Sequence, residues 1–323
     1  IINKIYYKYY LLIEKYFIGY KTASRSLIVI DKATGFEFSL KTSTDTLFNL
    51  PIHNIQLWEE SRQNRLIVDF VLEQFKDVAP QNFVLLDEPL AFGIPGIGKY
   101  GLGMILRSYS SLTKGKRYVP GFAVMNSRLG EKLAKQNGSD NPGAFWNEHY
   151  NKPLAKALAE LFARTGVLPV AAHSQNFLVE LDVKNRPTGK IIMRDLGDSN
   201  LVFQFFKSIG REDILASWDK ETILKKRARV VVGVISNTYV PAWLERNDKS
   251  PGNPGFYETW GADFFNAFDD ELKRLTGIRL ARSSALERQK DMFKIDYNLT
   301  DNAAEHFFKQ ISSGHLKRCR DLF

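Results

Sequence analysis

Two β-rich runs joined by a short polar loop constrain the fold of this chain more than any other feature. The segments 177–183 (FLVELDV) and 190–195 (KIIMRD) are rich in β-branched and other apolar residues. Between them, 184–189 (KNRPTG) carries the Asn, Pro and Gly that are typical of turns. The pattern predicts a β-hairpin over 177–195.

The open end of this hairpin is expected to gather polar side chains. If 184–189 closes the loop, Phe177 lies roughly opposite Leu196, and the segment His173-Ser-Gln-Asn176 comes beside Asp195. Amide and carboxylate oxygens suit Mg²⁺, which takes hard oxygen ligands and leaves its other positions to phosphates and water. Kinase-type phosphoryl-transfer enzymes pair an Asn with an Asp in this way. The sequence therefore predicts a nucleotide–Mg²⁺ site, although a turn Asn, a capping Asp and a half-buried His are an alternative interpretation.

Helical and strand patterns are mixed along the remaining chain, which predicts an α+β fold with antiparallel hairpins in a mixed sheet. The acidic run Asp269-Asp270-Glu271 is interpreted as a solvated helix face. Pro153 is expected in the first turn of a helix that Gly166 ends. The other predicted elements are a helix over 5–18, a hairpin of 26–31 with 36–40, a helix over 62–75, a strand over 83–87, and a mostly helical C-terminal part around 212–226, 258–275, 284–294 and 302–312.

The length of 323 residues suggests two domains or one elaborate domain. The turn-rich segment 138–142 (GSDNP) predicts a boundary that separates 1–137 from 138–323. Because the chain opens on Ile1 and runs straight into patterned sequence, we expect part of the N-terminal region to be missing.

Composition narrows the classes of partner. The formal net charge of +9 favours anionic partners. The densest basic run, 225–229 (KKRAR), has no aromatic interleaving, so we expect small anions rather than nucleic acid. The single Cys319 predicts a reducing, cytoplasmic location. No apolar run approaches the roughly 18 residues of a spanning helix, so no membrane insertion is expected.

Five short motifs, in order, resemble those of the NRPS-independent siderophore synthetases, the aerobactin-synthetase-like family. The segments 173–176 (HSQN) and 194–197 (RDLG) resemble the family's His-Gly-Gln-Asn and Arg-Asp-x-Gly motifs. Upstream, 22–27 (TASRSL) is similar to its Ser-x-Arg-Thr strand, 36–40 (FEFSL) to the strand that follows, and 103–107 (GMILR) to its Leu-Arg-Glu strand.

This resemblance implies a palm, fingers and thumb architecture, with ATP bound on the palm. The segment 1–137 would be a fingers-like nucleotide-binding part, and 138–323 a palm-like part. Such enzymes adenylate a carboxylate of citrate or a related acid, and an amine or hydroxylamine then displaces AMP. The expected partners are therefore a small carboxylic acid and an amine, with a homodimer as the candidate assembly.

The resemblance implies roles for the residues of this chain that match the family's motifs by position. Ser24 and His173 would contact the nucleotide phosphates, and Gln175 would touch the nucleotide. Asn176 and Asp195 would hold Mg²⁺. The cations expected to stabilise charge during adenylation are Arg25, Arg107 and His173, with His173 and Arg25 as the catalytic candidates and Arg107 as a further nucleotide-binding residue.

Departures from the family pattern leave two other functions open. Ala171 stands where the family has Glu, Glu37 where it has Lys, and Thr46 or a neighbour where it has Arg. Lys41 is not counted as a replacement for the missing Lys, because we expect its strand parity to differ. The alternatives are a kinase-like phosphotransferase of the aminoglycoside type and a non-catalytic nucleotide-binding relative.

Overall fold

The computed structural model describes residues 15–21, 26–42, 58–94, 102–125, 127–169, 174–218, 223–224, 228–235, 256–289 and 292–299. The chain divides into two compact units, each with its own core. The first unit comprises Ile1–Leu72 and Leu86–Leu112, and the second comprises Glu73–Leu85 and Thr113–Phe323. The chain therefore passes between the units three times.

The first unit contains a five-stranded sheet with the strand order β1-β2-β3-β6-β5. Every neighbouring pair in this sheet is antiparallel. The strands are β1 (Phe17–Lys21), β2 (Ser26–Asp31), β3 (Glu37–Lys41), β5 (Leu90–Ile94) and β6 (Leu102–Ser108).

The predicted hairpin of 26–31 with 36–40 is confirmed as β2 and β3. Asp31 accepts a hydrogen bond from the Ala33 N–H at 2.8 Å, and Gly35 takes the left-handed conformation with φ +70°. Glycine adopts this conformation without the steric cost that a β-carbon adds. The predicted helix over 5–18 is wrong at its end, because Phe17 and Ile18 belong to β1 and pair with β2. Residues 5–14 lie outside the described residues.

The predicted helix over 62–75 is confirmed as α1 (Trp58–Gln74). Its apolar residues recur at helical spacing, and the side chains of Ile67, Val68, Phe70 and Val71 are buried in the core.

The second unit contains three sheets. The largest has the order β4-β10-β9-β7, with β4 parallel to β10 and the other pairs antiparallel. In the second, β11 pairs antiparallel with β8 and parallel with β12, and the third has the antiparallel order β13-β15-β14. The strands are β4 (Phe83–Leu85), β7 (Arg117–Pro120), β8 (Val167–Pro169), β9 (Phe177–Leu181), β10 (Pro187–Met193), β11 (Ser199–Val202), β12 (Ile223–Leu224), β13 (Ala228–Ile235), β14 (Glu287–Gln289) and β15 (Met292–Leu299).

Two long helices pack together in the second unit, α5 (Lys152–Thr165) and α8 (Phe256–Thr276). Pro153 lies in the first turn of α5, and Gly166 ends it with φ +63°, as predicted. The shorter helices are α2 (Gly121–Val124), α3 (Ser127–Gln136), α4 (Pro142–Trp146), a π-helix (Asn147–Asn151), α6 (Phe203–Ser208) and α7 (Glu212–Ser217).

The C-terminal part is less helical than predicted. The segment predicted as a helix over 284–294 instead holds β14 and the start of β15, because Ile295 and Tyr297 alternate into the core and the strand pairs with β13. The helix predicted over 212–226 ends at Ser217 and is followed by β12. The helix predicted over 258–275 is confirmed as α8, and 302–312 lies outside the described residues.

The predicted domain boundary at 137/138 differs from the observed division, in which the last crossing follows Leu112. The turn-rich segment 138–142 instead joins two helices inside the second unit. Asn141 caps α4 by accepting a hydrogen bond from the Ala144 N–H at 3.0 Å. The polar residues of this segment therefore cap a helix and do not form a linker between units.

Candidate functional site

The β9–β10 hairpin is present, but its register differs from the predicted one. Phe177 lies opposite Met193 rather than Leu196. The turn is tighter than expected because the Asp182 carboxylate accepts hydrogen bonds from the backbone N–H groups of Lys184 and Arg186, at 2.8 and 2.9 Å. Asn185 completes this turn in the left-handed conformation, with φ +61°.

The corrected register still brings the segment before β9 beside the segment after β10. The Arg194 N–H donates to the Asn176 carbonyl at 3.2 Å, and the Arg194 guanidinium donates to the Gln175 carbonyl at 2.8 Å. Asp195 follows directly. The structure therefore places Gln175 and Asn176 beside Arg194, the residue that precedes Asp195.

The segment that precedes β9 is also attached to helix α2. The Ser174 carbonyl accepts a hydrogen bond from the Phe122 N–H at 3.3 Å. Three consecutive carbonyls, those of residues 174–176, are thus engaged by fixed donors. These hydrogen bonds use only the backbone carbonyls, so they leave the side-chain amides of Gln175 and Asn176 at the surface of the segment. Gln175 is exposed, and Asn176 is half-buried.

Asp195 occupies an unusual backbone conformation for a residue with a side chain. Its φ is +65°, in the left-handed region that Asp and Asn tolerate better than most residues. This conformation turns the chain immediately after β10 ends at Met193. Backbone outliers of this kind are concentrated at functional sites.

Gly121 lies close to both Tyr150 and the segment before β9. A β-carbon at Gly121 would overlap the Tyr150 hydroxyl and would lie 2.9 Å from the Ser174 carbonyl oxygen, so only glycine fits. Burial raises the pKa of Tyr150 well above its ordinary value, which keeps the phenol neutral.

Ser174 is the residue of this site that the sequence reasoning did not single out. Its side chain is 3% exposed, and the hydroxyl has no hydrogen-bond partner within the described ranges. One signal was available in the sequence: Ser174 stands where the resembling family motif has Gly.

Arg107, in the first unit, forms a buried ion pair. Its side chain is 2% exposed, and its guanidinium lies 2.5 Å from the carboxylate of the fully buried Glu88. Asn64 donates a further hydrogen bond to the same carboxylate, and Arg65 donates to the Glu88 carbonyl at 2.7 Å. This network gives Arg107 a structural role in its unit, while its contact with a nucleotide stays a prediction.

The remaining predicted site residues, Ser24, Arg25 and His173, lie outside the described residues, as does Ala171. Their roles stay predictions.

The expected difference in parity between Glu37 and Lys41 is wrong. The two residues are four apart on β3, and side chains two and four apart share a sheet face. Ser39, between them, lies opposite Arg107 on β6. Lys41 is therefore a half-buried cation on the same face as Arg107 and a candidate for the Lys that Glu37 replaces.

The acidic run on α8 is not the solvated face that the sequence predicted. Asp269 is 4% exposed and accepts hydrogen bonds from the Tyr297 hydroxyl at 2.6 Å and from Arg282 at 2.9 Å. Glu271 is also buried and accepts from the Asn82 amide at 2.8 Å. Only Asp270 of the three is exposed, so Asp269 and Glu271 are structural groups.

The donor set at the hairpin fits Mg²⁺ in its chemistry. Asn176 and Asp195 offer hard oxygens with a single carboxylate, which suits an ion that takes one or two protein ligands and several phosphate or water oxygens. Within the described ranges, the hairpin included, no three His, Cys, Asp or Glu side chains are grouped to hold a metal. No helix among the described residues is long and apolar enough to cross a membrane.

Comparison with solved structures finds a protein of similar fold. Petrobactin biosynthesis protein AsbB from Bacillus anthracis str. Sterne superposes with a TM-score of 0.54 at 12% sequence identity, over 90% of this chain and 55% of that protein. The chain shares its fold. It spans about half the length of AsbB. No protein-family model matches the sequence, and no curated protein matches it.

Proposed function

We propose that this chain is an ATP-dependent ligase of siderophore biosynthesis that joins a small carboxylic acid to an amine or hydroxylamine. The observation that carries the proposal is the open end of the β9–β10 hairpin, where Gln175 and Asn176 lie beside Arg194 and Asp195. Two lines of support are independent: the motifs resemble those of siderophore synthetases, and the fold is similar to that of a petrobactin biosynthesis protein. The aerobactin-synthetase-like subtype is part of this proposal.

The reaction would proceed in two transfers. A carboxylate oxygen of the acid attacks the α-phosphorus of ATP, and pyrophosphate leaves. The amine or hydroxylamine nitrogen then attacks the activated carbonyl carbon and loses its proton to solvent, and AMP leaves. Mg²⁺, when bound, would offset the charge that develops on the phosphate oxygens.

In this proposal the residues of the hairpin bind and orient the nucleotide. Asn176 and Asp195 would hold Mg²⁺, and Gln175 would contact the nucleotide. Ser24 and His173 would contact the phosphates, with Arg25 and His173 as the catalytic groups nearest the charge that develops. Arg107, which is held by its ion pair with Glu88, would contact the nucleotide.

The assay is product analysis with Mg-ATP, citrate and a panel of diamines and hydroxylamines. The ligase produces AMP and pyrophosphate in a reaction that depends on both substrates. Formation of ADP with a phosphorylated acceptor would instead support the kinase-like alternative, which shares an Asn before the hairpin and an Asp after it. Binding of ATP without turnover of any acid would favour the non-catalytic relative, to which the substitutions at Ala171 and Glu37 point.

The matched variant for the metal site is Asp195→Asn. Alanine would add strain at φ +65°, whereas Asn tolerates this conformation and keeps the size of the side chain. We expect Asp195→Asn to weaken Mg-ATP binding by at least about tenfold, because a carboxylate ligand to the ion is lost. Equal calorimetric affinities in the wild type and the variant would contradict the placement of the metal.

A further inference from the structure

The Ser174 hydroxyl lies in a buried position without a partner. The side chain is 3% exposed, and no residue of the described ranges hydrogen-bonds its oxygen. Buried polar groups in folded proteins are nearly always hydrogen-bonded, and an exception calls for a specific explanation. A ligand that supplies the missing partner is one such explanation.

The backbone around Ser174 cannot easily rotate to relieve this hydroxyl. Its own carbonyl accepts from Phe122, and the carbonyls of the next two residues accept from Arg194. Gly121 lies close to the same carbonyl and close to the Tyr150 hydroxyl. The backbone that carries the hydroxyl is therefore held in place by the fold before a ligand arrives.

The chemistry of the neighbouring groups indicates the class of ligand. Ser174 directly precedes Gln175 and Asn176, whose carbonyls accept hydrogen bonds from Arg194. A hydroxyl donates readily to phosphate oxygens, which only accept hydrogen bonds.

We propose that the Ser174 hydroxyl donates a hydrogen bond to a phosphate oxygen of the nucleotide at the open end of the β9–β10 hairpin. This inference rests on the proposed function, and it adds a binding residue that the family motif, with Gly at this position, does not have.

The test compares Ser174→Ala and Ser174→Gly with the wild type in the full chain. Calorimetry measures the affinity for Mg-ATP and for adenosine, and thermal unfolding without nucleotide measures stability. We expect about tenfold weaker Mg-ATP binding in both variants, the size of one lost hydrogen bond to a charged group, with unchanged adenosine binding. In Ser174→Ala the midpoint without nucleotide is expected to stay equal or to rise, because the unpaired hydroxyl is gone, whereas Ser174→Gly adds backbone freedom to the unfolded chain that offsets this gain.

Thr276→Val is the matched control, because its buried hydroxyl already has a partner, the Leu272 carbonyl at 2.7 Å. This variant should lower the unfolding midpoint and leave the affinity for Mg-ATP unchanged, the reverse of the pattern expected at Ser174.

Two results would overturn the inference. Unchanged Mg-ATP affinity in both Ser174 variants would mean that the hydroxyl is merely buried, and equal weakening of adenosine would mean that it does not contact phosphate. The wild-type titration tests the proposed function separately. If the wild type itself binds no Mg-ATP, the proposed function fails and this inference fails with it.

Discussion

Glu160 is a fully buried carboxylate that holds the turn before β4. Its oxygens accept hydrogen bonds from the backbone N–H groups of Gln81 and Asn82, at 2.9 and 2.8 Å, and from the Asn82 amide at 3.0 Å. We expect Glu160→Gln to lower the free energy of unfolding by about 2–3 kcal/mol, because an amide NH₂ would face N–H donors inside the core. Chemical denaturation measures this loss.

Glu148→Gln is the control for this prediction. The Glu148 side chain is 58% exposed and pairs with Lys152 one helical turn away, so its replacement should change stability by less than about 0.5 kcal/mol. Equal effects at the two positions would show that the hydrogen bonds of Glu160 do not stabilise the turn.

The sequence does not identify which charged residues are buried in the fold. Asp269 and Glu271 read as solvated because their neighbours in sequence are charged and polar. Their partners, Tyr297 and Asn82, come from distant segments, so only the tertiary fold reveals them. Ser174 was overlooked for a similar reason, since burial cannot be read from a motif.

At the scale of elements, the β9–β10 turn depends on the ionisation of Asp182. Hydrogen bonds from the backbone of Arg186, and then from its side chain and the Lys184 backbone, lower the pKa of Asp182 to about 2. Because the folded-state pKa is depressed, the carboxylate stabilises the fold above its unfolded pKa of about 3.9, and this contribution is lost as the pH falls toward 2.

We therefore expect Asp182→Asn to reduce the loss of stability between pH 4 and pH 2, measured by unfolding at each pH. An NMR titration of the wild type should place the Asp182 carboxyl midpoint near pH 2. A midpoint near 4 would contradict the turn geometry.

Helix α2 and the segment before β9 are coupled through Gly121. We expect Gly121→Ala to destabilise the second unit by about 1–3 kcal/mol, because the added methyl group would overlap Tyr150 and crowd the Ser174 carbonyl. The measurement is denaturant unfolding, and Tyr150→Phe in the same chain should recover part of the loss by removing the hydroxyl. Gly19→Ala is the control, since nothing lies within 4 Å of that position. A Gly121 variant as stable as this control would rule out the close packing.

The sequence predicts elements that depend on local signals better than it predicts which elements pair with each other. Pro153 and Gly166 bound a helix as expected, because both signals act within the helix itself. The hairpin was predicted, but its register was three residues off at the open end, since Asp182 closes a tighter turn than Pro and Gly suggest. The β15 strand is not predicted, because the charged segment 287–291 (ERQKD) that leads into it favours a helix and its partner β13 lies far away in sequence.

At the scale of the whole molecule, part of the basic charge faces the protein's own carboxylates. Among the described residues, eight arginines form ion pairs with Asp or Glu, so these eight do not add to a free basic surface; the net charge of +9 is the excess that remains after all carboxylates are counted. The eight arginines are Arg62, Arg65, Arg107, Arg186, Arg211, Arg274, Arg279 and Arg282.

We therefore expect no tight binding to DNA or RNA. Binding through phosphate neutralisation falls steeply with salt, so a gel-shift titration at low salt is the most permissive test. A submicromolar affinity in that titration would contradict the expectation that the charge serves small anions.

The parallel pairing of β4 with β10 has a consequence for synthesis on the ribosome. Phe83 pairs with Ile191, so β4 leaves the ribosome about a hundred residues before its partner does. At roughly 5–20 residues per second, the strand waits on the order of 5–20 s. During that interval Phe83 and Leu85, both buried in the finished fold, are exposed on a nascent chain. Because a long loop must close before the pair forms, this strand is the expected site of chaperone capture and of the slowest step in folding.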